Sequence, residues 1–132
     1  MRFVYTLLLF LLVPWILLRL VWRARREPGY LHDVAERFGR YPHDAGAPLI
    51  WVHAVSVGET RAAQPLVVAL MRRYPRHRVL LTQMTPSGRE TAAQLFGESV
   101  ASAYLPYDLP GPVAGFLGHF APRAGILMET EI

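Results

Sequence analysis

The sequence predicts an α/β protein: a parallel sheet with helices on both faces, preceded by an N-terminal transmembrane helix. Two observations carry this. The first is one long apolar run near the start, Phe3 to Trp22, "FVYTLLLFLLVPWILLRLVW", with a single charge in its twenty residues. The second is a strict alternation of short apolar runs with helix-period segments from residue 49 to the end. Strands separated by helices of about ten to fifteen residues make βαβ units and a parallel sheet.

The apolar run comes first in the chain. At about 1.5 Å per residue it spans roughly 30 Å, the thickness of the hydrocarbon layer of a bilayer. A cleaved signal peptide needs a shorter apolar core and small residues at a cleavage site. Here "RLVWRARREPGY" follows, bulky and basic, so the reading is an uncleaved anchor. Arg2 precedes the span, and Arg19, Arg23, Arg25 and Arg26 lie at its far end. By the positive-inside rule this places the C-terminal side in the cytoplasm. Arg19 is positioned to snorkel to the interface, and Trp15 and Trp22 are rings suited to it. Pro14 is tolerable within such a segment.

Charge follows the same division. Residues 1–26 hold five arginines and no acid; residues 27–132 hold nine arginines and ten acids, giving +5, −1 and the total of +4. The basic isoelectric point thus belongs to a membrane flank on a near-neutral domain, and it is no argument for nucleic acid. The chain has no cysteine, which excludes disulfides and thiolate chemistry.

"YLHDVAERFGRYP" then reads as a short amphipathic helix ended by Gly39 and Pro42, with Tyr30, Val34 and Phe38 on one face. Following the anchor directly, it is expected close to the membrane. "HDAGAP" is a breaker-rich loop. Strands follow at 49–55, 78–83, 100–106 and 124–130. Helices are expected at 59–74 (with Pro65 an irregularity near its start), 88–97 and 111–121. The expected domain organisation is 1–26 anchor and basic cytoplasmic flank, 27–48 juxtamembrane helix and loop, and 49–132 an α/β half-domain. Four parallel strands are few for a domain with a cleft, and the last strand ends on "METEI". The chain is therefore read as a fragment.

Ligands of open parallel sheets bind beyond the carboxyl ends of the strands. The four segments there are "SVGET" (56–60), "TQMTPSG" (82–88), "PYDLP" (106–110) and "ETEI" (129–132), rich in hydroxyls, glycine and carboxylates. Gly58 permits a tight turn or close approach of a ligand. Glu59 falls in the first turn of a helix, where free N–H groups and the helix dipole favour a carboxylate. Such a group is suited to act as general base for a hydroxyl nucleophile; acids are also simply common there. In "TPSGRE", Ser87 is read as the helix cap with Glu90 completing a capping box, and Gly88 as permissive. The same hydroxyls and N–H groups suit a phosphate or sugar, and capping explains the segment equally well. Glu129 and Glu131 alternate on one strand face, suited to binding metal, orienting a base or stabilising charge; either also fits a solvated acid at a strand end. Asp108 lies in a Pro-bounded turn, where Asp is common. The five histidines lack metal-ligand spacing, and neither a P-loop nor a GxGxxG motif is present. His53 reads as a strand residue with a local partner.

Taken in order, the anchor, "ERFG" (36–39), "WVHAVSVGET" (51–60), "LLTQMTPSG" (80–88), "YLPYDLP" (104–110) and "ILMETEI" (126–132) resemble the N-terminal half of the 3-deoxy-D-manno-octulosonic acid (Kdo) transferases. The resemblance covers essentially the whole chain. It implies a GT-B glycosyltransferase with two Rossmann-like halves. The N-terminal half takes the lipid A precursor as acceptor, and the C-terminal half takes CMP-Kdo as donor. It implies Glu59 as general base and an inverting displacement of CMP. Glu129 is implied to stabilise the transition state. Ser56, Gly58, Thr85, Ser87, Gly88, Asp108 and Glu131 are then candidates for substrate binding. No metal or other cofactor and no nucleic acid are expected, and the location implied is the bacterial inner membrane with the domain facing the cytoplasm. The donor half is missing from the sequence, so this chain alone is expected to be inactive. A rival reading is a non-catalytic anchored half-domain that binds lipid or a partner.

Overall fold

The computed structural model describes residues 1–42, 46 and 48–128. Helix α1 (Arg2–Ala24) is followed by a 3-10 turn (Pro28–Leu31) and the short helix α2 (Val34–Arg37). The α/β unit then runs β1 (Leu49–Ala54), α3 (Val57–Arg73), β2 (Arg78–Gln83), α4 (Pro86–Phe96), a 3-10 turn (Gly97–Ser99), β3 (Ala101–Tyr104), α5 (Pro110–Phe120) and β4 (Ala124–Met128). All strand pairs are parallel, in the order β3-β2-β1-β4. The α/β class and the apolar N-terminal helix are as the sequence predicts.

The order follows from alternation along the strands. Val52, Ala54, Val79 and Leu81 point to one face and are fully covered by Ala63 and Val67 of α3 and Ala92 of α4. Leu49, Leu80 and Ala103 point to the other, against Phe116 and Phe120 of α5. Two crossovers through α3 and α4 lay β2 and β3 down in one direction from β1. The crossover through α5 returns along the opposite face to place β4 on the other side of β1. That reversal puts a topological switch point between β1 and β4, where such sheets bind ligands.

Differences from expectation have local causes. Pro65 lies inside α3 without ending it. Residues 30–42 do not form one helix, because Asp33 adopts a left-handed backbone, φ 53°, which separates the 3-10 turn from α2. Nor does that segment simply lie on a surface. Tyr30 packs with Leu20 and Ala24 of α1, while Glu36 and Arg37 are buried against the sheet. Gly39, at φ 80°, brings its backbone against α5: a Cβ there would lie 2.4 Å from the Pro112 carbonyl oxygen, and one at Gly115 would lie 2.5 Å from that of Gly39. The ends of the sequence-predicted strands at 105–106 and 55 are loop. Residues 129–132 lie outside the described residues.

Helix α1 is long and apolar enough to cross a membrane, and little of its apolar surface is covered. Its C-terminal end is docked through Leu20 and Ala24. At its other end the Tyr5 hydroxyl donates to Asp108 Oδ2 at 2.8 Å.

Candidate active site

Two loops meet at the carboxyl edge beside the switch point. The first follows β1. Ser56 is the N-cap of α3 and its carbonyl accepts from both Thr60 N–H and Thr60 Oγ1, at 2.9 and 2.7 Å; its own hydroxyl makes no capping bond. Glu59, third residue of the helix, is partly exposed and folds back so that its Oε2 accepts the Val55 N–H at 2.5 Å. This is a capping-box gesture displaced by one residue. It fixes the carboxylate at the helix start. Gly58 takes no left-handed conformation, and a Cβ there would meet nothing within 4 Å. The turn therefore does not require glycine; what glycine leaves is open approach over the helix start, beside Glu59.

The second loop follows β2. Thr85, not Ser87, caps α4: Thr85 Oγ1 accepts Gly88 N–H at 3.0 Å. Pro86 takes the first helical position, which moves the cap two residues back from the sequence reading and leaves Glu90 exposed outside any capping box. Ser87 N–H donates to the Glu27 carboxylate at 3.1 Å. Two amides of this helix start are thus already engaged, so the expected phosphate cradle of free N–H groups is not formed. Gly88 is needed for packing, since a Cβ would lie 2.9 Å from Thr85 Oγ1 and 3.3 Å from the Ser56 carbonyl carbon.

The loops are tied to each other and to the segment between α1 and β1 by a short series of bonds. Arg37 Nη2 donates to the Met84 carbonyl at 2.9 Å, Met84 N–H donates to the Val55 carbonyl at 3.1 Å, and Val55 N–H donates to Glu59. Arg37 is 2% exposed and its guanidinium lies over the Tyr104 ring at 4.3 Å. Beside it the Glu36 carboxylate accepts Tyr104 N–H at 2.9 Å and is paired with Arg89 at 2.9 Å. Tyr107 N–H donates to the Arg37 carbonyl at 2.8 Å. The Tyr107 hydroxyl is pushed up from its ordinary pKa by burial, with Arg37 and Arg23 pulling the other way.

The structure therefore brings together Ser56, Gly58, Glu59, Thr85, Ser87 and Gly88. Asp108 is held elsewhere. It follows β3, two strands and so about 10 Å from β1, and is exposed and bonded to Tyr5. Glu129 and Glu131 lie outside the described residues; Met128, before them, pairs with Ala54 of β1. His53 is buried with Nδ1 2.9 Å from Thr82 Oγ1, which also accepts Trp51 Nε1–H at 2.8 Å. Among the described residues no three His, Asp or Glu side chains are grouped to hold a metal. Glu36, Arg37 and Arg89 were not among the sequence candidates. The signal for Glu36 and Arg37 was "ERFG" itself, two opposite charges set between apolar residues of a segment that must fold back on the domain.

A family model described as 3-deoxy-D-manno-octulosonic-acid transferase (kdotransferase) matches residues 32–132. A 3-deoxy-D-manno-octulosonic acid transferase of Bordetella pertussis is 50% identical over 99% of the chain and 32% of its own length. One of Haemophilus influenzae is 41% identical over 99% of the chain and 31% of its own length. A "probable 3-deoxy-D-manno-octulosonic acid transferase, mitochondrial" of Arabidopsis thaliana is 36% identical over 90% of the chain. The chain spans about a third of the length of the two bacterial relatives. No solved structure matches it. On the family match and these identities, the chain belongs to the 3-deoxy-D-manno-octulosonic-acid transferase family.

Proposed function

We propose that this chain is the acceptor-binding portion of a membrane-anchored glycosyltransferase that moves Kdo from CMP-Kdo to a lipid A precursor. The observation that carries this is Glu59: a carboxylate at the start of α3, at the switch-point edge of the sheet, held by Val55 N–H, in a chain of this family. In the proposed step, Glu59 takes the proton of the acceptor sugar hydroxyl. That oxygen bonds to the anomeric carbon of Kdo from the face opposite CMP. The bond from that carbon to the phosphate oxygen breaks and CMP departs with its electron pair, inverting the centre. A base placed within reach contributes typically 10² to 10⁴-fold, and holding acceptor and donor together contributes further.

Glu129, which follows β4 in sequence, is proposed to stabilise the charge that develops, and Glu131 to bind substrate. Ser56, Gly58 and the start of α4, Thr85, Ser87 and Gly88, are proposed to line the acceptor sugar. The proposed organisation keeps residues 1–26 as anchor and flank, 27–48 as juxtamembrane segment and 49–132 as the α/β half, facing the cytoplasm at the inner membrane. The donor is proposed to bind elsewhere in the family's length, and this chain alone to lack transfer. The test is a chimera in which this chain replaces the matching third of the Bordetella pertussis relative, supplied with CMP-Kdo and lipid A precursor. A product heavier by one Kdo or more, absent when CMP-Kdo is withheld, supports the reading. A folded, membrane-bound chimera that forms no such product overturns it.

A further inference from the structure

Between the C-terminal half of α1 and the carboxyl edge of the sheet lies a cavity of about 350 Å³, and three guanidinium groups line it: Arg19, Arg23 and Arg37. No acid does. Gathering like charges around one cavity is unfavourable unless an anion joins them. Arg19 and Arg23 lie over the rings of Trp15 and Tyr30, at 5.4 and 5.6 Å. Neither is in an ion pair among the described residues. Arg37 is the stronger case. It is 2% exposed, its Nη2 reaches only a neutral carbonyl, and its Nε is buried with no hydrogen-bond partner among the described residues. A buried guanidinium is costly without a counter-charge. The acids near this edge are outside the lining and already engaged: Glu27 by Ser87 N–H, Glu36 by Arg89 and Tyr104 N–H, and Glu59 by Val55 N–H.

The rest of the lining is apolar and amphipathic, including Trp15, Leu20 and Tyr107, and α1 carries it to the membrane surface. Val55, whose N–H holds Glu59, is part of the lining. We propose that this cavity binds the phosphate headgroup of a membrane lipid, with Arg19, Arg23 and Arg37 on the phosphate and Trp15 and Leu20 along the apolar part. The anchor helix then forms a wall of the binding site as well as a tether. The proposal rests on the transferase reading only for which lipid fills the site during turnover.

The experiment titrates dihexanoyl phosphatidic acid into the chain in a neutral maltoside detergent, following the bound fraction by phosphorus NMR. Dihexanoyl phosphatidylcholine and inorganic phosphate serve as rival probes. We expect saturable binding of phosphatidic acid, and about tenfold weaker binding of it by Arg19→Gln/Arg23→Gln, which loses two charge-assisted contacts. Arg25→Gln/Arg26→Gln removes the same charge from the same helix end outside the cavity, and should stay within about twofold of wild type. Equal losses in the two double variants, or none in either, would overturn the site. Inorganic phosphate binding as tightly as phosphatidic acid would overturn the lipid as its source. Binding is read here without any transfer step, so its failure leaves Glu59-dependent transfer standing, and the failure of transfer leaves the binding result standing.

Discussion

Glu36 and Arg89 form an ion pair at 2.9 Å in which the carboxylate is 3% exposed and also accepts the Tyr104 N–H. One side chain from the segment after α1 thereby joins α4 and β3. Removing one partner of a buried pair leaves the other charge uncompensated, at a cost of roughly 3–5 kcal/mol. Arg89 is 24% exposed and has Asp33 as a second partner at 3.2 Å, so its loss of Glu36 is partly relieved by solvent. Glu36→Ala is therefore expected to destabilise by about 3 kcal/mol in urea unfolding, and Glu36→Leu/Arg89→Leu by less than the single change. A single change costing under about 1 kcal/mol would show a pair of the surface kind.

Gly88 and Thr85 make the second prediction. Gly88→Ala sets a Cβ 2.9 Å from the oxygen that caps its own helix and 3.3 Å from the Ser56 carbonyl carbon. Either the cap opens, for about 1 kcal/mol, or the loop before Glu59 moves. The variant is expected to unfold at lower urea and to lose transfer in the chimera. Thr85→Ala should show the stability loss with a smaller effect on transfer. Full stability in Gly88→Ala would contradict the packing described.

Alkaline pH supplies a third. Burial pushes the Tyr41 hydroxyl far above its ordinary value, with the Glu36 charge adding to it, and burial also raises Tyr104 and Tyr107. The folded state therefore holds these protons more tightly than the unfolded chain. Their contribution is fully present below about pH 10, the ordinary tyrosine value, and is lost as pH rises beyond it. Tyr41 also donates to the Tyr104 carbonyl at 3.0 Å. Tyr41→Phe should be about 1 kcal/mol less stable near neutrality, and this deficit should shrink above pH 10. A constant deficit across that range would contradict the assignment.

The absence of cysteine makes cross-linking clean for α1. Tyr5 lies fifteen residues, about 22 Å, up the helix from the docked Leu20. With α1 in hydrocarbon, its bond to Asp108 would carry a carboxylate to that depth, which is costly. Tyr5→Cys/Asp108→Cys is expected to cross-link in detergent and not in a bilayer. A pair at the docked end, Leu20→Cys/Tyr30→Cys, is expected to respond alike in both. Efficient cross-linking of the first pair in a bilayer would show α1 lying along the domain instead of spanning.

The strands, the helices between them and the switch-point edge were legible because each rests on a local period: apolar runs of the β1 and β2 kind, helical spacing in α3. Glu59 was legible because its position depends only on the helix that starts beneath it. What could not be read depends on contacts distant in sequence. Whether Glu36 and Arg37 face water or Tyr104 is decided sixty-eight residues away. The cap at Thr85 rather than Ser87 turned on Pro86, a residue that starts helices as readily as it breaks turns. The left-handed Asp33 interrupts a helical spacing that looked continuous. The cavity arginines read as a membrane flank because nothing in their spacing reports that Arg37 would join them.

The most direct measurement is kcat for Kdo transfer by the chimera with Glu59→Gln, which keeps an acceptor for the Val55 N–H and removes the base, alongside its urea unfolding. A loss of roughly 10² to 10⁴-fold in kcat is expected, with the unfolding midpoint unchanged. Transfer within about threefold of the unsubstituted chimera, far short of what a general base contributes, would contradict it.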